Sequence, residues 1–286
     1  MSIDKESCPI NVGFPNFITY RQSANTLFNF MRDINYLITD IENMKLYPRY
    51  VIEDVEYLKL KIGNRRIKNV AFPMLCFCDI HLHMLPHHVE KDEKTGSDGY
   101  GKYGIGLDKE WCESQGFQPI SYINENSVRC KELSDIFNKG LESLAKGLDL
   151  DEDFYDFILN QVKLSKPLNG QMRMNNKNIR KNFHDEKEWR FLPNVSKVNM
   201  SSFLNDATMP KKMNPDVLKK MSDALTTEDT THINLTVEAI KYIFVNTVED
   251  RNKLLQTIKN KFADDVENAL ILASKIVVYQ ETVGDW

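Results

Sequence analysis

The amino-acid sequence predicts a single α+β domain, with a central, largely antiparallel sheet of short strands surrounded by helices. Of its 286 residues, 42% are hydrophobic and 27% are charged, a balance that supports one large globular core. Segments with helical periodicity are interspersed with short strand-forming runs, but without the regular βαβ alternation of a doubly wound sheet. We therefore expect one mixed domain over residues 1–286.

Composition also limits where the protein acts and what it contacts. No run reaches the roughly 18 consecutive apolar residues of a membrane helix, and the N-terminus lacks the pattern of a signal peptide. The five cysteines are an odd number, which favours reduced thiols over a disulfide framework. The net charge of -4 argues against a protein that coats nucleic acid with its whole surface. These features predict a cytoplasmic protein without membrane contact.

Periodicity predicts the elements of the first part of the chain. Apolar residues recur at three- and four-residue intervals over residues 25–43, which predicts an amphipathic helix. The run NVAFPMLCFCD, residues 69–79, is rich in strand-forming residues and predicts one or two inner strands, with Pro73 at an edge, bulge or break. Residues 87–102 are polar and lack a period, which predicts a surface loop.

The rest of the chain mixes the two kinds of element. A strand–helix–strand unit is predicted at 103–107, 109–115 and 119–123. A helical insertion at about 126–165 follows, as a helix pair over 126–147 and 151–165. The remaining predictions are a basic loop at 171–186, strands at 187–192, 233–235, 239–245 and around 275–279, and a helix at 248–263.

The segment EKEWRF carries the sharpest local pattern. Alternation along a strand places Glu186, Glu188 and Arg190 on one face, and Trp189 and Phe191 on the other. We expect the aromatic face to be buried and the other face to carry the charge. A carboxylate held by a rigid strand can bind a ribose hydroxyl and stabilise positive charge at a glycosidic carbon. The alternative is a solvated strand face, on which the charged residues pair with neighbours across the sheet.

A second cluster of reactive side chains follows the predicted inner strand. Two cysteines and two histidines could bind zinc, but ligands one residue apart in an extended segment lack the loop-separated pairs of a structural zinc site. Cys76 and Cys78 are then buried packing residues, and no metal is expected. His87 or His88 is a candidate for a polar contact with a ligand, the alternative being a solvated surface histidine. The full pattern is Cys76, Cys78, Asp79, His81 and His83, with His87 and His88 after it.

A third polar cluster lies near the N-terminus, at a predicted strand-to-helix junction. It comprises Thr19, Tyr20, Arg21, Gln22 and Ser23. Backbone amides at a helix start, together with the arginine, suit a phosphate or pyrophosphate group. The alternative is simple helix capping by Ser23, with Arg21 in solvent.

Several of these segments, taken in order, resemble a known protein family. The sequences FPMLCFCDIHL, YGKYGIGLDKEWC, QPISYI and EKEWRFLP resemble the AbiGi-type abortive-infection family and a related family of uncharacterised bacterial domains. The resemblance runs from about residue 18 to the segment AIKYIFV and the helix after it. It implies a role in bacterial defence against phage, as an antitoxin-like partner in a two-gene system.

The order of elements is also similar to that of NAD-dependent ADP-ribosyltransferases of the DNA-targeting toxin kind. This similarity implies an ADP-ribosyltransferase-like fold and an NAD-consuming reaction, with a nucleic acid or a protein as acceptor. It implies catalytic roles for Glu188, which would stabilise the oxocarbenium-like transition state, and for Glu186, which would contact the acceptor. The residues implied to bind NAD are Arg21, Tyr20, Tyr103, His87 and Arg190.

Two functions therefore stay open at this stage. The first is an NAD-dependent enzyme, for which Glu188, Glu186 and Arg21 should converge on one cleft. The second is a non-catalytic antitoxin or sensor that binds a partner toxin or a phage protein, with the EKEWRF strand serving only architecture. A third option, a metal-dependent nuclease built on Asp79 and the histidines, requires bound metal.

Overall fold

The computed structural model of the protein describes residues 23–90, 99–146, 152–174, 177–195 and 198–285. Its strands are β1 Thr26–Met31, β2 Lys45–Leu46, β3 Arg49–Asp54, β4 Lys61–Ile62, β5 Arg65–Arg66, β6 Asn69–Cys78, β7 Tyr103–Asp108, β8 Gln118–Pro119, β9 Ser121–Ile123, β10 Ser165–Pro167, β11 Asn169–Met174, β12 Lys177–Asn182, β13 Glu188–Phe191, β14 Leu204–Asn205, β15 Ile233–Asn234, β16 Ile240–Val245 and β17 Ile276–Val278. Its helices are α1 Ile34–Asn43, α2 Leu85–Val89, α3 Lys109–Ser114, α4 Val128–Ala145, α5 Glu152–Lys163, α6 Pro215–Leu225, α7 Val248–Lys261, α8 Val266–Ser274 and α9 Tyr279–Thr282.

A nine-stranded sheet organises these elements. Its main order is β17-β16-β7-β1-β6-β13-β8, and β3 and β14 pair with β6 outside this path. Neighbouring strands are antiparallel, apart from the parallel pair β16 and β17. The predicted α+β class and the largely antiparallel central sheet are therefore confirmed.

The sheet is buried on both faces, and β6 shows this most clearly. Leu75 and Phe77 contribute to a core with α1 and α7, whereas Phe72 and Met74 contribute to a second core with α4 and α5. A strand covered on both faces needs apolar residues at nearly every position, which explains the continuous apolar run that predicted it. The prediction of an inner strand at 69–79 is confirmed.

Pro73 lies inside β6 without breaking it. It is paired with Tyr50 of β3, whose amide N–H is donated to the Ser222 side chain at 2.9 Å and not to β6. The missing N–H of Pro73 therefore faces the other side of β6. On that side the neighbour changes from β14, opposite Val70 and Ala71, to β13. No ladder hydrogen bond is lost, because the proline occupies the gap between two neighbours.

The prediction of one helix over residues 25–43 is wrong for its first part. Residues 26–31 form β1, which pairs with β7 at every position, and only Ile34–Asn43 is helical. Asp33 caps this helix by accepting the amide N–H of Asn35. Apolar residues at both faces of a central strand mimic helical spacing, so periodicity alone did not separate the strand from the helix.

The prediction of a loop at 171–186 is also wrong. Residues 169–174 and 177–182 pair in register as an antiparallel hairpin, and a 3-10 turn, Phe183–Glu186, follows. The two strands satisfy each other's backbone groups, so the hairpin forms without the apolar alternation that indicates a strand in sequence.

Most other predicted elements are confirmed with small changes of boundary. They are the strands at 103–107, 187–192, 233–235, 239–245 and 275–279, and the helices at 109–115, 126–147, 151–165 and 248–263. The segment at 119–123 divides between β8 and β9, and β9 pairs with β10 instead of the main sheet. The predicted loop at 87–102 overlaps the end of α2, because residues 87–89 are helical. Residues 91–98 of this loop lie outside the described residues. Among the described helices, none is long and apolar enough to span a lipid bilayer.

Replacing Phe77 with alanine tests the central core. Phe77 has no exposed surface, and its ring lies 4.9 Å from the ring of Phe117, centroid to centroid. We expect Phe77→Ala to lower the free energy of unfolding by about 3–5 kcal/mol, because it leaves a cavity between packed elements. Urea denaturation measures this change. Phe157→Ala, on a side chain that is 56% exposed, is the control and should cost less than about 0.5 kcal/mol. Equal effects of the two changes would contradict this view of the core.

Candidate functional site

Six charged side chains form a buried ionic cluster beside β6. They are Glu53, Lys166, Lys181, Glu186, Glu188 and Arg190. The cluster joins residues of β3, β10, β12 and β13, and it contains three of the residues that the sequence singled out. Three carboxylates face three cations, so their formal charges balance.

Strand β13 places two members of this cluster on one face. Glu188 is paired with Cys78, and Arg190 with Cys76, so both side chains lie on the same face of the sheet, beside the second half of β6. Glu188 is 5% exposed and Arg190 is fully buried, whereas Trp189 and Phe191 on the other face are only partly buried. The sequence predicted that the aromatic face is buried and that the other face carries the charge. Trp189 and Phe191 do pack against the core, but the charged face lies deeper than the aromatic face, because compensating partners stabilise its burial.

Arg190 has a protein partner beside each nitrogen of its guanidinium group. Its Nε donates to Glu188 Oε1 at 2.6 Å, and its Nη1 donates to the backbone carbonyl of Lys163 at 2.6 Å. Its Nη2 lies 3.0 Å from Glu53 Oε1 and forms an ion pair with it, without the geometry of a hydrogen bond. The charge of a guanidinium enclosed by two carboxylates and a carbonyl is compensated inside the protein.

Lys166 links the two glutamates that the sequence singled out. Its Nζ lies 2.7 Å from Glu186 Oε2 and 3.0 Å from Glu188 Oε2. The two glutamates do not belong to one regular strand, since Lys187 between them has a φ of 43° and Glu186 ends a 3-10 turn. The sequence predicted that strand alternation places the two glutamates on one face. In the structure, the turn and the shared Lys166 bring them together instead.

The outer end of the cluster is closed by Lys181 and Tyr100. Lys181 Nζ lies 2.9 Å from Glu186 Oε1, and the Tyr100 hydroxyl donates to the same carboxylate and accepts from Lys181. Lys181 also lies 4.4 Å from the centre of the Tyr100 ring. Tyr100 in turn packs against His88, which is buried between Tyr100 and Phe30.

Electrostatics keeps these carboxylates ionised. Burial acts to raise the pKa of Glu188, but the Arg190 guanidinium and the Lys166 ammonium outweigh it and lower that pKa to about 2. Burial likewise opposes ionisation of Glu186, but Lys166 and Lys181 hold its pKa below the usual range. Burial and the nearby glutamates raise the pKa of the Cys76 and Cys78 thiols, so both stay protonated. Thiols of this kind are poor nucleophiles and poor metal ligands.

The other residues expected to bind NAD lie in different places. Tyr103 is on β7 and donates to Asp250 Oδ2 at 3.1 Å, near the start of α7. His87 is exposed on α2, and its buried neighbour His88 is the one that reaches Tyr100. Arg21 and Tyr20 lie outside the described residues. The structure thus brings together Glu186, Glu188 and Arg190, and the NAD site as a whole stays a prediction.

Described residues form two clefts with volumes of about 490 Å³ and 590 Å³. None of the six residues of the ionic cluster lines either of these clefts. The first cleft lies between the end of β3 and the β11–β12 hairpin, and the second lies between the start of β1 and the histidines that follow β6. A substrate bound in either of these clefts would therefore not contact Glu188.

The cysteine- and histidine-rich segment has a structural explanation of its own. Asp79 pairs with the buried Lys109 at 2.6 Å, and Lys109 lies 5.0 Å from the centre of the Trp189 ring. His81 and His83 stack on each other, 5.5 Å apart. Within the described ranges, no three His, Cys, Asp or Glu residues are arranged to hold a metal ion.

Sequence reasoning missed most partners of the cluster. Glu53, Lys166 and Lys181 belong to no motif. Tyr100 opens the segment YGKYGIGLDKEWC, but nothing in that segment indicates a contact with Glu186, so only the fold shows these partners. Lys109 did carry a signal, because it directly precedes the Glu110-Trp111 pair of a recognisable motif.

Replacing Glu188 with glutamine tests the strength of this cluster. The substitution removes the charge that compensates Arg190 and Lys166, while both cations stay buried. We expect Glu188→Gln to lower the free energy of unfolding by about 3–5 kcal/mol. Chemical denaturation measures the change, and Glu142→Gln, in the exposed pair with Lys146, is the control expected to be nearly neutral. A neutral Glu188→Gln would show that the cluster contributes nothing to folding.

Acid should weaken the protein through the same carboxylates. The pKa of Glu188 is lower in the folded chain, about 2, than the value of about 4.3 expected when unfolded. Its stabilising contribution is therefore present above about pH 4.3 and is lost as the pH falls toward 2. Urea midpoints measured between pH 7 and pH 3 should fall at the acid end, and less steeply for Glu188→Gln. Parallel curves for the two proteins would contradict the low pKa.

Comparison with known proteins identifies the family. Residues 44–270 match the family described as "Putative abortive phage resistance protein AbiGi, antitoxin". The abortive phage resistance protein AbiGi of Lactococcus lactis subsp. cremoris is 34% identical over 263 residues, which cover 85% of this chain and 100% of that protein. No solved structure matches significantly, so the ADP-ribosyltransferase-like fold stays a prediction. The family match includes the strand β6, the helix α3 and the strand β13, and the chain belongs to the AbiGi family of abortive phage resistance proteins.

Proposed function

We propose that this chain is the antitoxin of a two-gene abortive-infection system, in which it binds a partner toxin and holds it inactive. The family description, with its word antitoxin, supports this role. The observation that carries the proposal is the closed buried ionic cluster, because it contains the residues that an enzymatic function would need.

Both glutamates of the cluster that the sequence singled out have protein partners at both carboxylate oxygens. Glu188 accepts from Arg190 through one oxygen and from Lys166 through the other, and Glu186 accepts from Lys166, Lys181 and Tyr100. A carboxylate that stabilises an oxocarbenium-like transition state has to face the sugar. These carboxylates face protein cations, which is the arrangement of a structural element.

The cluster also gives a binding protein a rigid framework. Through Lys166 and Lys181 it ties β10 and the β11–β12 hairpin to the central sheet. The Glu188 backbone adds a hydrogen bond to the Tyr122 hydroxyl at 2.7 Å. A surface that is already ordered loses less conformational entropy when it binds, so a rigid framework favours tight association with a partner.

NAD-dependent ADP-ribosyl transfer is the competing hypothesis. It assigns catalysis to Glu188 and Glu186 and binding to Arg21, Tyr20, Tyr103, His87 and Arg190. In favour of the antitoxin, Arg190 is fully buried among protein acceptors, and Tyr103 donates to Asp250. The antitoxin role requires no NAD and leaves the glutamates as structural residues.

Co-expression tests the antitoxin role. The toxin encoded in the same two-gene unit should arrest growth alone, and this chain should restore growth and co-purify with the toxin. We expect Glu188→Gln to retain both properties at a temperature well below its melting point, since the side chain acts only through folding. Growth curves and affinity co-purification measure the outcome, and circular dichroism verifies folding.

The contradicting result is enzymatic. If the purified chain releases nicotinamide from labelled NAD, and folded Glu188→Gln does not, the protein is an NAD-consuming enzyme and the antitoxin role fails. Failure of the wild-type chain to bind or neutralise the toxin would also overturn the proposal.

A further inference from the structure

Helix α8 exposes an apolar surface that the fold does not use. Val266 and Leu270 are each 65% exposed and Ile271 is 37% exposed, although they belong to a helix of only nine residues. The opposite side of the helix already packs inward through Leu272 and Ala269. A helix that is apolar on both sides is normally covered on both sides.

Helix α8 leads directly into the edge strand of the central sheet. Lys275 ends α8, and β17 follows directly as the last strand of the sheet on that side. In the described part of the chain, β17 pairs only with β16. Its outer edge therefore has no strand partner among the described residues, and an unpaired strand edge can accept a strand of another chain.

The segment that carries this surface has charged residues of one sign. Residues 262–274 contain three acidic residues, Asp264, Asp265 and Glu267, and no lysine or arginine. Asp265 caps α8 by accepting the amide N–H of Asn268, but Asp264 and Glu267 are exposed. Lys275 is turned inward, where its Nζ donates to the Val237 carbonyl at 2.6 Å, and the cations that precede the segment in the chain, Lys259 and Lys261, belong to α7.

We propose that α8 and the edge of β17 form the docking surface for the partner toxin, which presents an apolar groove with a basic rim. This inference rests on the antitoxin role proposed above and names the surface through which it acts. Opposite charge at the rim steers the two proteins together, and burial of the aliphatic side chains holds them.

The acidic rim disfavours the other occupants of such a surface. A second copy of this chain, bound symmetrically through α8, would bring two sets of Asp264 and Glu267 side chains together, and like charges would repel. An anionic membrane surface would repel the same residues. A basic partner protein is the occupant whose charge complements the rim.

Substitutions on α8 test the proposal with the full-length chain. We expect Leu270→Ser to weaken binding of the toxin at least about 10-fold, because the buried apolar contact is lost. Glu267→Lys should weaken binding and make it less sensitive to salt, because one attractive rim charge is reversed. Calorimetry or biolayer interferometry at 50 and 300 mM salt measures both effects, and thermal melting verifies that each exposed substitution leaves the fold intact.

Phe157→Ser is the matched control. Phe157 is 56% exposed on α5 and lies next to the exposed Asp156, so it reproduces the chemistry of the α8 surface at another place. Its binding should stay within about 2-fold of wild type. If the wild-type chain binds the toxin but Leu270→Ser binds equally well, the docking surface is wrong while the antitoxin role stands.

Two further outcomes would also overturn the docking surface. One is a concentration-dependent dimer of the chain alone that Leu270→Ser abolishes, measured by light scattering. The other is binding to vesicles of phosphatidylcholine and phosphatidylglycerol that the same substitution abolishes. If the wild-type chain does not bind the toxin at all, the antitoxin role fails and the docking surface fails with it.

Discussion

The buried guanidinium of Arg190 is the constraint on which the centre of this protein depends. A charge removed from water has to be compensated nearby, and Glu188 and Glu53 compensate it from β13 and β3. Both strands pair with β6, so the ion pairs and the strand pairing require the same arrangement. Glu188 also pairs with Lys166, and Lys166 pairs with Glu186. Glu186 in turn pairs with Lys181 of the β11–β12 hairpin.

A second buried ion pair, on the other side of β13, likewise compensates a charge that is removed from water. Asp79 ends the apolar run of β6 and pairs with Lys109 at the start of α3, beneath the Trp189 ring. Three of the four segments that carry the family resemblance thus meet through Asp79, Lys109 and Trp189. Asp79 and Lys109, both from these segments, thus form a contact between β6 and α3.

The ionic cluster and the exposed apolar surface of α8 lie at different ends of the central sheet. The ionic cluster holds β10 and the β11–β12 hairpin near one end of the sheet, whereas α8 and β17 lie at the other end. At that end the chain exposes aliphatic side chains with acidic residues around them. The separation places stability and recognition in different parts of the molecule, so one surface can change without disturbing the other.

The sequence by itself determined the α+β class, the inner strand β6, the helices α3, α4, α5 and α7 and the family, because these depend on local composition and on motifs read in order. It did not determine β1 or the β11–β12 hairpin, because partners distant in the chain stabilise these strands. Only the tertiary structure decided the surroundings of Glu188 and Arg190. Alternation placed them on one face, but whether that face meets water or protein depends on Glu53 and Lys166, which no local pattern connects to them.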